Sequence, residues 1–376
     1  MGVAPPSLER PHARIANAHA GFAPSVAPLG ALSFALHRQL AERFGGRHKW
    51  GYSKSTGTSL SRDGESAAGG SGEDWLRDGS SRRSAAKDAV EDRAGAWPGW
   101  LAREKGCNLE VISSEDSVAQ LDPLRLCEFL LDESLKKGVT LYQPARVVSV
   151  SKDGDGKLSG VRIAIDGKEE VDIACSRLVI TAGPWTPVVF ENLFPQSSTK
   201  IPISALAGHS LLVKSPRWTT DMEPEGCHAV FATDTLGYSP ELFSRLGEEV
   251  YIAGLNSMTI HLPEVYEEAK VRQEDIETLK MTATKMLGSP AGENDLQVIR
   301  EALCFRPVTS SGRPIVSRIP DSRLGGVSTD AGSKGGVYIA AGHGAWGISQ
   351  SLGTGKALTE LMDGLPMSAN ISALGL

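Results

Sequence analysis

Apolar and polar positions follow a few clear rhythms along this chain, and each rhythm predicts an element. Leu29, Leu32, Leu36, Leu40 and Phe44 recur at three- and four-residue spacing before Gly45-Gly46, which predicts an amphipathic helix ending there. "DPLRLCEFLLDESLKKG" predicts a second helix: Asp122 suits the N-cap, Pro123 the first helical position, and Lys136, Lys137 and Gly138 the end. Between them, from Ser53 to about Ala96, Gly, Ser and mixed charge replace aliphatic residues. A stretch that buries so little apolar surface is expected to be a disordered surface insertion.

Beyond the second helix the period shortens to two. "VTLYQPARVVSVSKD", "KLSGVRIAID" and "KEEVDIACSRLVITAG" are β-runs broken by the turns "DGDG" and "DG", which predicts a meander feeding one more strand. That last strand, "RLVITAG", is apolar on both alternating faces, the pattern of a buried parallel strand whose end opens on a ligand crevice. Further β-runs, "SALAGHSLLVK", "HAVFAT" and "EVYIAGL", precede a helical stretch at "EDIETLKMTATKMLG", predicting a mostly antiparallel second domain. "ALCFRPVTSSGRPIVSR" and "GVYIAAGHGAWG" then read as strand, turn and strand, with a closing helix from Ile348 to about Met362.

Composition narrows the function classes. A net charge of -6 argues against a nucleic-acid partner. The five cysteines are odd in number and lack C-x-x-C spacing, so neither a disulfide framework nor a thiolate metal cage is expected, and the redox setting reads as reducing. Eight scattered histidines without H-E-x-x-H make metal binding unexpected. No apolar run approaches the roughly 18 residues of a spanning helix, so no integral membrane segment is expected and the cytoplasm is the default location.

One motif carries candidate chemistry. Gly342, Gly344 and Gly347 spell G-x-G-x-x-G between an apolar strand and a helix, where bare backbone can approach a ligand and the helix N-terminus carries partial positive charge. A nicotinamide-dependent dehydrogenase would need a second strand and an acidic residue after this turn, and neither follows. A phosphate loop ending at Gly355-Lys356 fails because Gln350 stands at its first glycine and Ala357 at its hydroxyl position.

"RPVTSSGRPIV" followed by "GVYIAAGHGAWGISQSLGTGKALTELM" resembles the closing signature of the D-amino-acid-oxidase-like FAD-dependent oxidoreductases, written R-P-x-T-x-D-G-x-P and then a glycine-rich flavin turn. "KKGVTLYQPARVVSV" and "LVITAGPWTP" resemble that family's adenine-side strand and A-G-x-W segment. "SVAQLDP", "ISALAGHSLLV" and "SPELFSRLGEEVYIAGL" are similar to a fungal and plant branch, linked in yeast with endosomes. The resemblance covers the chain from about Asn17 onward. It implies FAD as cofactor, with Gly342, His343, Gly344, Gly347 and Ile348 along the flavin ring and ribityl chain, and Val147 meeting the adenine through its main chain. Ala182, Gly183 and Trp185 line the same crevice. Arg306 occupies the place of the substrate-carboxylate cation, and His209 is a second candidate facing the flavin.

Two departures stand out: Ser311 replaces the aspartate of the signature, and Ala207 replaces a basic residue before the G-H-S step. The family's opening βαβ unit, with its own G-x-G-x-x-G, is not found before Asn17. The resemblance thus implies an α/β fold, with an incomplete FAD-binding Rossmann-like domain of the glutathione-reductase/D-amino-acid-oxidase type and a mostly antiparallel, α+β substrate domain. Residues 1–35 are assigned as the remnant of the FAD domain, 36–116 as a substrate-domain segment holding the insertion at 53–96, and 117–200 as FAD domain. Residues 201–302 are assigned to the substrate domain and 303–376 to the C-terminal part of the FAD domain. The expected function is oxidation of an amine or amino acid by hydride transfer to flavin, in a truncated form whose strand at 177–181 lacks a neighbour. The alternative is a non-catalytic, endosome-associated trafficking protein that keeps the scaffold.

Overall fold

The computed structural model describes residues 13–16, 23–62, 97–113, 116–166, 169–232, 238–289 and 295–376. In chain order its elements are β1 (Ala13–Ala16), α1 (Ala27–Phe44), α2 (Gly46–Trp50), β2 (Ser53–Arg62), β3 (Cys107–Val111), β4 (Val118–Leu121) and α3 (Pro123–Lys136). Next come β5 (Ala145–Lys152), β6 (Leu158–Ile165), β7 (Val171–Ala174), β8 (Arg177–Ile180) and α4 (Thr186–Leu193). They are followed by β9 (Ile203–Lys214), β10 (Cys227–Ala232), β11 (Glu241–Arg245), β12 (Glu249–Ala253), β13 (Asn256–Ser257) and α5 (Gln273–Leu287). The chain closes with β14 (Gln297–Thr309), β15 (Ile315–Ile319), β16 (Gly336–Ala341) and α6 (Gly347–Asp363). The chain forms two compact units.

The first unit takes Phe34–Phe129 and Leu206–Phe305. Its sheet runs β1-β4-β2-β10-β11-β12-β9-β13, with β3 also on β2 and β14 also on β9. One face of the sheet, through Leu211, Val213, Val230, Leu242, Val250 and Ile252, packs on Ile276, Leu279, Ala283 and Leu287 of α5. Those four α5 positions fall at three- and four-residue spacing, so a single stripe of that helix meets the sheet.

Strand β2 corrects the expectation of a disordered insertion over 53–62. It is an interior strand, parallel to β10 on one edge (Ser55 opposite Cys227, Leu60 opposite Ala232) and antiparallel to β3 and β4 on the other. Its sequence has little apolar character because hydroxyls, at Ser53, Thr58, Ser59 and Ser61, fill most of its buried positions, with Gly57 and Leu60 taking the others. Partners far along the chain satisfy them and their backbone. The Gly57 amide donates to Ser113 Oγ at 2.9 Å, Thr58 Oγ1 donates to the Ala229 carbonyl at 3.4 Å, and Gln120 Nε2 donates to Ser55 Oγ at 2.8 Å. The rest of the expected insertion, 63–96, lies outside the described residues.

The second unit takes Pro24–Ser33, Leu130–Ala205 and Arg306–Leu376. The meander appears as the antiparallel sheet β5-β6-β7, and β8, β16 and β15 form a separate sheet in which β8 and β16 are parallel. Ile180, Ile339, Val337 and Ile319 of the latter pack with Phe190, Leu193 and Phe194 from α4 and its end. Among the described residues β8 pairs only with β16, and its Arg177, Leu178 and Val179 are half-buried.

Candidate active site

Parallel pairing of β8 with β16 sets the geometry. Leu178 lies opposite Val337 and Ile180 opposite Ile339; β16 runs on to Ala341, and the same register carried forward sets Gly183 level with Gly342, so the two C-terminal turns sit side by side. Crevices beyond the carboxyl ends of parallel strands are where α/β sheets bind ligands.

Both turns follow one plan. After β8, Ala182 leads to Gly183 at φ +55°, a single 3-10 turn through Trp185, and then α4. After β16, Gly342 at φ +79° and Gly344 at φ +56° lead through a 3-10 turn ending at Trp346 into α6. The Trp185 amide donates to the Ala182 carbonyl at 3.0 Å, and the Trp346 amide to the His343 carbonyl at 2.9 Å. No side chain caps the first turn of α4 or α6, so each presents the positive end of its dipole to the crevice. Left-handed backbone explains the glycines, and at Gly342 space does too: a Cβ there would lie 2.6 Å from Thr309 Cγ2. A Cβ on Gly183 would meet nothing within 4 Å, so the crevice is open on that side.

The side chains around the turns are uncharged. His343 places Nε2 3.0 Å from Thr354 Oγ1, and burial pushes its imidazole down to about 4, so it is neutral at physiological pH. Among the described residues four buried polar atoms of this unit lack a hydrogen-bond partner: Ser317 Oγ on β15 and, on the helices, Thr186 Oγ1 in the first turn of α4, Gln350 Oε1 in the first turn of α6, and Ser33 Oγ. Ser33 belongs with them in space, because a Cβ on Gly353 of α6 would fall 2.8 Å from Ser33 Cβ and from the Leu29 carbonyl oxygen. Sequence reasoning assigned neither Thr186, Ser33 nor Thr354 to the site, and Gln350 entered it only as a mismatch to a phosphate loop. Their only signal in the sequence is a polar residue at a position that a helix would otherwise bury.

The structure brings Ala182, Gly183, Trp185, Gly342, His343, Gly344, Gly347 and Ile348 together in these paired turns. Val147 lies in the same unit on β5, opposite Ile163 and beside a register shift, and β5 pairs only with β6 among the described residues. Its outer backbone edge therefore faces away from the ladder. Arg306 is half-buried on β14, three residues before Thr309, about 10 Å along the strand from the Gly342 turn. Ser311 sits in the turn after β14, its hydroxyl 3.3 Å from Thr309 Oγ1 and accepting the Arg313 amide at 3.3 Å.

His209 lies in the first unit, on β9, and is 1% exposed. Its Nδ1 is 3.2 Å from Asp275 Oδ2, and its Nε2 accepts the Arg272 amide at 3.0 Å. Burial holds the ring below the ordinary histidine value, against the raising pull of Asp275. Both nitrogens are thus committed to the start of α5.

This arrangement suits a flavin nucleotide: bare amides, two positive helix ends, neutral side chains and orphaned polar atoms that a hydroxyl-rich, ring-bearing ligand would satisfy. Groups of three or more His, Cys, Asp or Glu able to hold a metal ion are absent among the described residues. Among the same residues no helix is long and apolar enough to cross a membrane.

Comparison with known proteins adds an independent line. The sequence profile of the family described as "FAD dependent oxidoreductase" matches residues 5–361, reaching further toward the start than Asn17. A putative oxidoreductase of Schizosaccharomyces pombe, C1F5.03c, is 26% identical over 374 residues, spanning 93% of this chain and 82% of that protein. The putative oxidoreductase TDA3 of Saccharomyces cerevisiae is also 26% identical, over 73% of this chain and 54% of its own length. In fold, glycine oxidase from Geobacillus kaustophilus superposes with a TM-score of 0.69 at 18% identity, over 96% of this chain and 85% of that one.

Proposed function

Because the chain belongs to the FAD dependent oxidoreductase family, we propose that it holds FAD in the crevice between the β8 and β16 turns and oxidises an amine or amino acid. When bound, FAD accepts the hydride that leaves the substrate carbon next to nitrogen. The chain's own part is binding and orientation. Backbone amides of Gly342 to Ile348 would hold the ring and ribityl chain, Ala182, Gly183 and Trp185 would wall the crevice, and the β5 edge at Val147 would meet the adenine. His343 stays neutral, so the turn offers the ring backbone amides and the positive end of α6 rather than a protonated imidazole.

Arg306 takes the substrate's carboxylate, for which a planar two-pronged cation is suited. His209, with both ring nitrogens engaged by Asp275 and Arg272, acts as a positioning residue for the start of α5. The observation that carries this reading is the pair of glycine turns closing two adjacent parallel strands. Its test is anaerobic titration of the FAD-loaded protein with glycine, other amino acids and secondary amines. Loss of the yellow flavin absorbance with at least one supports the reading. Colourless folded protein, or pigment that no member of the panel bleaches, favours a scaffold without turnover.

A further inference from the structure

At the end of α1 the chain gathers positive charge that no carboxylate among the described residues pairs with. Arg38, Arg43, Arg47, His48 and Lys49 are all exposed, and Glu42 is the only carboxylate in that run, in a chain whose net charge is -6. Among the described residues none of the four Lys/Arg cations has a carboxylate within salt-bridge distance, whereas the next cation, Lys54, pairs with Asp116 at 2.6 Å. The clustering is built by the backbone. Left-handed Gly45 (φ +69°) and Gly51 (φ +66°) bracket α2, and α2 folds tightly onto α1, since a Cβ on Gly46 would fall 2.7 Å from Ala41.

An aromatic ledge beneath then holds the cations outward. The Arg43 guanidinium lies 5.0 Å from the Phe44 ring centroid, and Lys49 Nζ lies 5.8 Å from Phe44 and 5.1 Å from Phe129. Phe129 packs in turn on Phe44 at 5.2 Å and on buried Trp50 at 4.6 Å. Cation–π contact fixes these heads without consuming their charge.

We propose that this patch docks the protein on a bilayer surface rich in anionic phospholipid headgroups. Four Lys/Arg residues in one short surface segment reach the density at which attraction to an anionic leaflet becomes effective, each cation adding to it within a Debye length. The cations are spread along two helices rather than converging on one point, which matches a fluid array of headgroups better than a single phosphate. Nucleic acid is the poorer match, because cations already lie over the Phe44 ring that a base would stack on.

Vesicle flotation of the full chain tests this at low salt, with phosphatidylcholine vesicles and with vesicles carrying about a third phosphatidylserine. The expected result is recovery with the phosphatidylserine vesicles only, abolished by high salt and unaffected by millimolar inorganic phosphate. Arg43→Glu/Arg47→Glu/Lys49→Glu is expected to lower that recovery at least tenfold, and the milder Arg43→Gln/Arg47→Gln/Lys49→Gln to lower it in the same direction should the reversal fail to fold. Equal recovery with both vesicle types, recovery unchanged in the folded variants, release by inorganic phosphate, or tighter capture of duplex DNA than of vesicles would overturn the proposal.

Discussion

At Gly342 conformation and space impose the same residue. The φ of +79° strains any side chain, and Thr309 Cγ2 occupies the place a Cβ would take. Gly342→Ala is expected to cost at least about 1–2 kcal/mol of stability and to weaken FAD binding further, because the turn must move away from the ligand. Chemical denaturation and flavin titration read the two effects separately. His343 provides a pH signature. Its folded value of about 4 lies below the ordinary 6.5, so its neutral form contributes stability that is complete above 6.5 and is lost as pH falls toward 4. His343→Gln, which takes no proton, should flatten that part of the stability curve; parallel curves for the two proteins from pH 7 to 4 would remove His343 from the account. At Arg306 the expected effect is selective. Arg306→Gln should lower kcat/KM by roughly 30- to 100-fold for an amino acid, about 2–3 kcal/mol, and leave an amine without a carboxylate nearly unchanged. Equal losses on both substrates would assign Arg306 a structural role.

Elements differ in how much of them could be read before the fold was known. Helices α1, α3 and α5 were legible because each announces itself locally, by an apolar stripe such as Ile276, Leu279, Ala283 and Leu287 or by the cap at Asp122. The glycine turns were legible for a related reason, since a left-handed residue after an apolar strand strongly favours glycine. Strand β2 was not, because what buries Thr58 and Gly57 are groups 171 and 56 residues away. The polar atoms of Thr186, Gln350 and Ser33 gain meaning only once β8, β16 and α1 assemble.

Asp122 shows how much a local cap can conceal. Besides accepting the amides of Leu124 and Arg125 at 3.0 and 3.3 Å, its carboxylate lies 3.0 Å from the guanidinium of Arg245, with both side chains almost fully buried. Asp122→Ala should therefore cost more than the roughly 1 kcal/mol of a lost cap, on the order of 3 kcal/mol, because among the described residues it leaves Arg245 with only Glu249 as a charged partner. A loss no larger than that of an ordinary cap, read from urea midpoints, would show the buried pair to be energetically idle.

Across the whole molecule, two units divide the labour of one fold. The first is built on a large, mostly antiparallel sheet backed by α5, the second on two short sheets, one of which carries the glycine turns after β8 and β16. Membership of the FAD dependent oxidoreductase family agrees with that division, and the likeness to glycine oxidase extends over nearly the whole chain. The central claim is that the paired turns after β8 and β16 form a flavin cradle, and it is tested most directly by equilibrium titration of the purified full chain and its Gly342→Ala variant with FAD, followed through flavin fluorescence. The expected result is saturable binding by the wild type, with pigment retained after desalting, and binding at least tenfold weaker in the variant while both remain folded. Wild-type protein that stays colourless, or a folded variant that binds FAD equally well, would contradict it.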